Sequence, residues 1–235
     1  MTLPLSDRDA LRQRLQADRW FATCQPDLQD LLLEAGRLRA LGANAPLFER
    51  GARADGLACV LAGALRVGSV DATGTPTLLA RLEPGQWFGE ISLIDGLPRT
   101  HDAVADGAAS VLVVPEAALR AFLDAHPAAW RDIGRLACAK LRLAFDVLED
   151  IARLPLEARL ARRLVLLSRA MGTHDAPPAR ELRLAQDQLA LMMGVSRQTT
   201  NKALQALQAR GWIARRYGVI ELLDPAALGG AGGLS

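Results

Sequence analysis

Long apolar runs, clustered cysteines and clustered histidines are all missing from this 235-residue sequence. No hydrophobic stretch approaches the ~20 residues that span a bilayer, so neither a transmembrane helix nor a membrane partner is expected. Residues Met1 to Arg19 alternate charge with leucine and lack the apolar block of a signal peptide. A cytoplasmic location is the expectation. The three cysteines, Cys24, Cys59 and Cys138, are far apart and odd in number. That suits neither a disulfide framework nor a metal cluster. Cys59 and Cys138 sit among apolar neighbours and are expected to be buried, inert thiols. The three histidines, His101, His126 and His174, show no ligand spacing. A cupin-like metal enzyme would need a His-x-His with a glutamate downstream, but Asp102 and Ala103 follow His101. No Ser/His/Asp or Cys/His arrangement suggests catalysis, so an enzyme is not expected.

What is present is apolar mass and an uneven charge. Half of the residues are hydrophobic, enough for a real core in one large domain or two small ones. Residues 1–150 carry 16 basic and 20 acidic side chains, net −4, whereas residues 151–235 carry 12 basic and 6 acidic, net +6. A basic final third behind a mildly acidic body suits a polyanionic partner.

Residues 36–114 hold short apolar runs bounded by turns: Leu57 to Leu61, Ala64 to Val67, Thr77 to Leu82 and Ser110 to Val114. Gly51, Gly56, Gly63, Gly74 and Gly85 punctuate them, a pattern that predicts an antiparallel roll or barrel. Pro115 opens a helix over Glu116 to Leu123, and a second helix is expected from Pro127 to about Ile151. Along it Trp130, Gly134, Ala137, Leu141, Ala144, Leu148 and Ile151 repeat at coiled-coil a/d spacing. Ile133, Leu136, Leu143, Val147 and Leu154 form a second apolar stripe. Two stripes need two partners: one face packs on the roll, the other on the same helix of a second copy. A helix wholly buried within a monomer is the alternative. Pro155 ends the pattern, placing a hinge at Arg153–Pro155, and helix resumes from Leu156 to Ala170. A loop with Gly172 and Pro177-Pro178 follows, and Gly229, Gly230, Gly232 and Gly233 suggest a frayed tail.

From Leu184 the sequence reads LAQDQLALMMGVSRQTTNKALQALQARGWI. Leu189, Met192, Met193, Val195, Thr199, Leu204 and Leu207 fit two short helices packed on each other, with Gly194 in the turn. Ser196 is placed to cap the second helix. In such motifs that helix lies in the major groove and its first residues reach base edges. Arg197 and Gln198 suit guanine and adenine edges, with Asn201 and Lys202 one turn on. Trp212-Ile213 enter a strand, and Tyr217-Gly218 turns into a second, Val219 to Leu223. Arg215 and Arg216 stand near the tip, where a wing meets phosphate. An ordinary helical hairpin with a solvated polar face is the alternative.

Over about residues 25–223 the chain resembles the cyclic-AMP receptor protein / fumarate–nitrate regulator (CRP/FNR) superfamily. The recognition-helix pattern Ser-Arg-x-Thr-x-x-(basic) is met by Ser196, Arg197, Thr199 and Lys202. Gln198 stands where many relatives carry glutamate, and Ala185 where the preceding helix often has a capping threonine. Phe88 to Thr100, FGEISLIDGLPRT, resembles the phosphate-binding cassette of cyclic-nucleotide domains. The resemblance implies an α+β fold: an antiparallel β-roll effector domain with amino-terminal helices (1–125), a dimerisation helix and hinge (126–154), and a winged helix-turn-helix domain (155–235). It assigns Arg99 and Thr100 to phosphate, Glu90 to ribose and Gly89 to close backbone approach, with the Ile91 and Ser92 amides beside them. Lys140 of the long helix is placed to reach Glu90. The family's adenine-facing hydroxyl pair falls on Ala144 and Phe145, and Phe145 is left to stack on a base. His101 follows Thr100 where relatives have a small residue. The effector is thus open among a cyclic nucleotide (cAMP or cGMP), another small anion and none, a Glu90–Arg99 ion pair holding the loop shut in the last case. The iron–sulfur type needs several amino-terminal cysteines, and only Cys24 lies there. The implied partners are double-stranded DNA carrying an inverted repeat, a second copy of the chain, and RNA polymerase.

Overall fold

In the computed structural model, residues 5–71, 73–169 and 179–231 are described, apart from the side chains of residues 5–7. Gly172, His174, Pro177, Pro178, Gly232 and Gly233 lie outside them. The described residues divide into two compact units: 5–69 with 79–141, and 70, 71 and 73–78 with 142–169 and 179–231.

The turn-bounded apolar runs of the first unit become strands. These are β1 (Arg37–Leu41), β2 (Pro46–Phe48), β3 (Gly56–Ala62), β4 (Leu65–Val70), β5 (Pro76–Leu82), β6 (Trp87–Phe88), β7 (Asp102–Ala105) and β8 (Ala109–Pro115). They form two four-stranded sheets, ordered β1-β8-β3-β6 and β2-β7-β4-β5. The central strand β3 pairs antiparallel with β8, Cys59 facing Leu112. Its side chains alternate between two cores, as a strand's period of two requires. Ala58 and Val60 join Leu65, Ala103 and Val111 in one core, while Leu57, Cys59 and Leu61 face helices in the other.

Those helices are α1 (Leu5–Leu15), α2 (Arg19–Ala22), α3 (Pro26–Glu34) and, after a short α4 (Glu90–Asp95), α5 (Glu116–Ala125). Phe21, Leu28, Leu32, Leu119 and Leu123 reach the core around Trp87. A 3-10 turn at Pro127–Ala129 leads into α6 (Trp130–Arg153), whose Ile133 and Leu136 enter the same core. The first part of its a/d stripe is half-buried, Trp130 packing on that core, and the later part stays in water: Leu141, Leu148 and Ile151 are 52%, 59% and 55% exposed.

Pro155 adopts φ −65°, ψ 160° and ends the helix. The second unit then holds α7 (Leu156–Ser168), β9 (Glu181–Arg183), α8 (Gln186–Met193), α9 (Arg197–Ala209), β10 (Ile213–Arg216), β11 (Val219–Leu222) and α10 (Pro225–Gly230). Leu160, Leu164, Leu189, Leu204, Leu207 and Ile213 are buried together. The two expected strands gain a third, β9, in the order β10-β11-β9.

Three expectations are corrected. Cys138 is exposed on α6, whereas Cys24 and Cys59 are buried. Apolar neighbours in sequence lie on different sides of a helix, so Cys138 escapes the core that takes Leu136. Thr199 is exposed, and Thr200 is the threonine packed inside, 1% exposed beside Ala203 and Leu204. Gly229 and Gly230 belong to α10 rather than to a frayed tail. Asp224 caps that helix and Leu228 is fully buried in the second unit's core.

Candidate functional site

Two sites take shape, one in each unit. In the first unit, Gly89 caps α4 with φ 98°, a backbone conformation that favours glycine. A Cβ there would sit 2.7 Å from the Arg99 guanidinium, so the glycine also makes room for that side chain. Arg99 is buried, and a buried cation requires acceptors. It finds three: Nη2 donates to Asp55 Oδ1 at 2.6 Å and to the Gly56 carbonyl at 2.7 Å, and Nη1 donates to the Gly89 carbonyl at 3.0 Å. The Phe48 ring lies 4.3 Å from the guanidinium carbon. Arg99 Nε is buried without a partner among the described residues.

Glu90 is equally enclosed and pairs with Lys140 Nζ at 2.7 Å. Lys140 thus reaches Glu90 as placed from sequence, and instead of the Glu90–Arg99 pair of the no-effector alternative the side chains form two couples, Arg99–Asp55 and Glu90–Lys140. Ser92 is buried, Ile91 is 46% exposed, and Thr100 is exposed with its Oγ1 3.0 Å from His101 Nδ1. Burial and the neighbouring Arg50 hold the His101 imidazole below its ordinary value, outweighing Asp102. Its charged form is thus disfavoured. Phe145 is 54% exposed on the half of α6 that belongs to the second unit. Sequence reasoning missed Asp55 and Phe48. Asp55 lies 44 residues from Arg99, and only the β-roll brings them together.

In the second unit, α8 and α9 form a tight bihelical turn. Gly194 closes α8 in the left-handed conformation at φ 65°. Ser196 accepts the Thr199 backbone N–H at 3.1 Å and so caps α9, and its Oγ lies 2.8 Å from Thr199 Oγ1. Thr200, Ala203, Leu204 and Leu207 face inward. That fixes the other side of α9 outward: Arg197, Gln198, Thr199 and Lys202 are exposed, and Asn201 is half-buried. Arg197 stays 3.3 Å from Asp187 of α8.

The two wing arginines differ. Arg215 turns toward α9, donating to Asn201 Oδ1 and Gln208 Oε1, each at 2.6 Å. Arg216 is exposed, 2.6 Å from Glu181 and 3.7 Å from Glu221.

Both halves of this arrangement match known families. Cyclic nucleotide-binding domains match residues 38–126, and Crp-like helix-turn-helix domains match residues 158–230. A CRP-like cAMP-activated global transcriptional regulator of Mycobacterium tuberculosis is 30% identical over 168 residues, 71% of this chain and 75% of the relative. The chain belongs to the CRP/FNR superfamily.

Solved structures agree on the fold of this CRP/FNR regulator. FixK2 from Bradyrhizobium japonicum gives a TM-score of 0.72 at 20% identity, over 82% of this chain and 95% of that one. A CRP/FNR-family transcriptional regulator from Thermus thermophilus gives 0.65 at 27% identity, over 84% and 98%. The protein is a transcription regulator with a cyclic-nucleotide-binding domain and a helix-turn-helix domain, and not an enzyme. Among the described residues no helix is long and apolar enough to cross a membrane, and no cluster of three His, Cys, Asp or Glu side chains suits a metal ion.

Proposed function

We propose that this CRP/FNR regulator acts in the cytoplasm as a homodimer on inverted-repeat DNA, under the control of a small anion held in the β-roll. The outward row Arg197, Gln198, Thr199 and Lys202, presented by an α9 whose opposite side is buried, carries the DNA reading. Arg197 offers paired donors and Gln198 a donor with an acceptor to base edges, and Asn201 adds a further amide to the row. Arg216 on the wing and the Ser196–Thr199 end of α9 meet phosphate, which fixes register. The unpartnered stripe Leu141, Ala144, Leu148 and Ile151 supports pairing with a second α6. Two wings and two recognition helices would then face half-sites about one helical turn, ~34 Å, or a multiple apart. RNA polymerase is the protein partner that the family resemblance supplies.

For the effector, the enclosed Arg99, Gly89 and Glu90 support a cyclic nucleotide, cAMP or cGMP, with its phosphate on Arg99 and Thr100. Gly89 lets the anion approach the backbone and the Ile91 and Ser92 N–H groups face it, while Glu90 and Lys140 lie toward the ribose. Binding then requires the phosphate to replace Asp55 as the acceptor of Arg99. The relative named for cAMP activation points to the same ligand class. A second reading has its own support: Arg99 and Glu90 already have partners, so the cassette is closed by its own ion pairs and DNA binding is constitutive.

Thermal denaturation with cAMP, cGMP and linear AMP, on the wild type and on Arg99→Ala, separates the two. Stabilisation lost in Arg99→Ala supports the effector reading, and no shift with any nucleotide supports the closed cassette. Selection from random duplexes by gel shift tests the DNA reading. No enriched inverted repeat would refute it.

A further inference from the structure

The second unit holds a cavity of about 430 Å³, of whose lining residues only Ile151, in the α6 stripe, has a role above. Its walls come from both sides of the Pro155 break: the last turns of α6 before it, and α7 after it. Four guanidinium groups line it, those of Arg159, Arg162, Arg163 and Arg169, against two carboxylates, Asp146 and Asp150. One of the acids is committed, since Asp150 lies 3.0 Å from Arg162. The remaining charge is unbalanced. Arg159 Nε is shut off from solvent and has no hydrogen-bond partner among the described residues. Burial lowers the Arg163 guanidinium below its ordinary value, and Asp150 only partly offsets this. Half-buried cations of this kind favour an acceptor, and a guanidinium fork matches an oxyanion best. Leu143, Val147 and Met192 supply apolar wall beside the arginines.

We propose that this cavity binds a small organic anion, a phosphate or carboxylate head on an apolar body, with the head on Arg159, Arg163 and Arg169. Its volume falls in the range of small-molecule sites, roughly 300–1,000 Å³. The site is separate from the β-roll cassette: none of its lining residues lies in the phosphate-binding segment. Such a ligand touches helix on both sides of the hinge, so its occupancy reports to the segment that carries the recognition helix.

The test is calorimetry on the full chain with two anionic probes, AMP and salicylate, and with adenosine and benzyl alcohol as their uncharged counterparts. All four are run on wild type and on Arg99→Ala, which separates this cavity from the cassette. The expected result is saturable binding of at least one anion in both proteins, with no binding of its uncharged counterpart. Arg159→Met and Arg169→Met should each weaken that binding about tenfold or more, the loss expected for one charge-assisted contact. Arg169 is exposed, so its substitution leaves the core intact should Arg159→Met fail to fold. Arg53→Met, an exposed arginine of the β-roll, should change nothing. If neither anion binds, if affinity survives both cavity substitutions, or if binding disappears with Arg99→Ala, the proposal is overturned. Preference for AMP over salicylate assigns a phosphate head, and the reverse assigns a carboxylate.

Discussion

Leu148→Ala offers the sharpest test of dimerisation through α6. Leu148 is 59% exposed in the single chain, within the exposed later part of the a/d stripe. Truncation to alanine removes three carbon groups, worth about 2.4 kcal/mol at ~0.8 kcal/mol each if fully buried. Only the exposed share can be removed from water by a partner, about 1.4 kcal/mol per subunit on the same scale. Two copies meet in a symmetric dimer, so the substitution removes about 3 kcal/mol from the association on that scale. That raises the dimer dissociation constant on the order of 100-fold. Monomer stability should hardly change, because in the single chain the side chain is largely in water. The assay is sedimentation velocity over a concentration series, with gel shift on a full and a half operator. Leu79→Ala, an equally simple truncation at a 44% exposed position of β5, serves as the control. An unchanged dissociation constant for Leu148→Ala, or an equal effect from Leu79→Ala, would refute the reasoning.

Further substitutions test the output surface. Arg197→Ala should cost roughly 1–3 kcal/mol on the preferred site and relax specificity there. Arg216→Ala should instead weaken all duplexes alike and lower the salt slope by about 1. Arg215→Ala should alter base preference with little change in salt slope, because its guanidinium holds Asn201 and Gln208. Equal salt slopes for Arg215→Ala and Arg216→Ala would contradict this division, and titrations at several salt concentrations measure them. Ser196→Ala removes the cap of α9 and should lower stability by about 1 kcal/mol, measured by urea unfolding.

Maleimide labelling of the native protein should modify Cys138 quickly and leave Cys24 and Cys59 protected until the chain unfolds. Burial, with Asp132 adding to it, pushes the Cys24 thiol from its ordinary value of 9.0 up to about 12. Burial pushes Cys59 well above the same value. The folded state therefore holds these protons more tightly than the unfolded chain does. Stability is unaffected below pH 9 and falls as pH rises from there toward 12, because unfolding releases the protons. Urea midpoints rising across that window would contradict the sign.

Local pattern was enough to read strands β3, β4, β5, β8, β10 and β11, the long helix, the Pro155 break and the bihelical motif. Each depends on nearest-neighbour chemistry: turns at glycine, apolar periodicity, a serine at a cap, a proline without an N–H. The basic final third and the Arg197–Lys202 row were equally plain, since exposed polar groups on one side of a helix follow from where its apolar residues fall. Side of a helix was the limit of that method. Thr199 and Thr200 are adjacent and chemically alike, and packing of α8 on α9 decided which one is buried. Cys138 and Leu136 are two residues apart, and the placement of the roll beside α6 put one in the core and one in water. Partner choice among buried ions was beyond sequence altogether. Arg99 meets Asp55 rather than Glu90 because β-strands return two distant segments to one place, and a buried cation takes the acceptor that the fold supplies. The same holds for Arg215, which the strand β10 aims at α9, and for the cavity that the end of α6 forms against four arginines of α7 and its C-cap. Residue order alone thus dictated the main elements and the exposed row on α9, while the packed fold chose which charges face each other. Helix and strand signals act over a few residues, but an ion pair depends on where the whole chain returns.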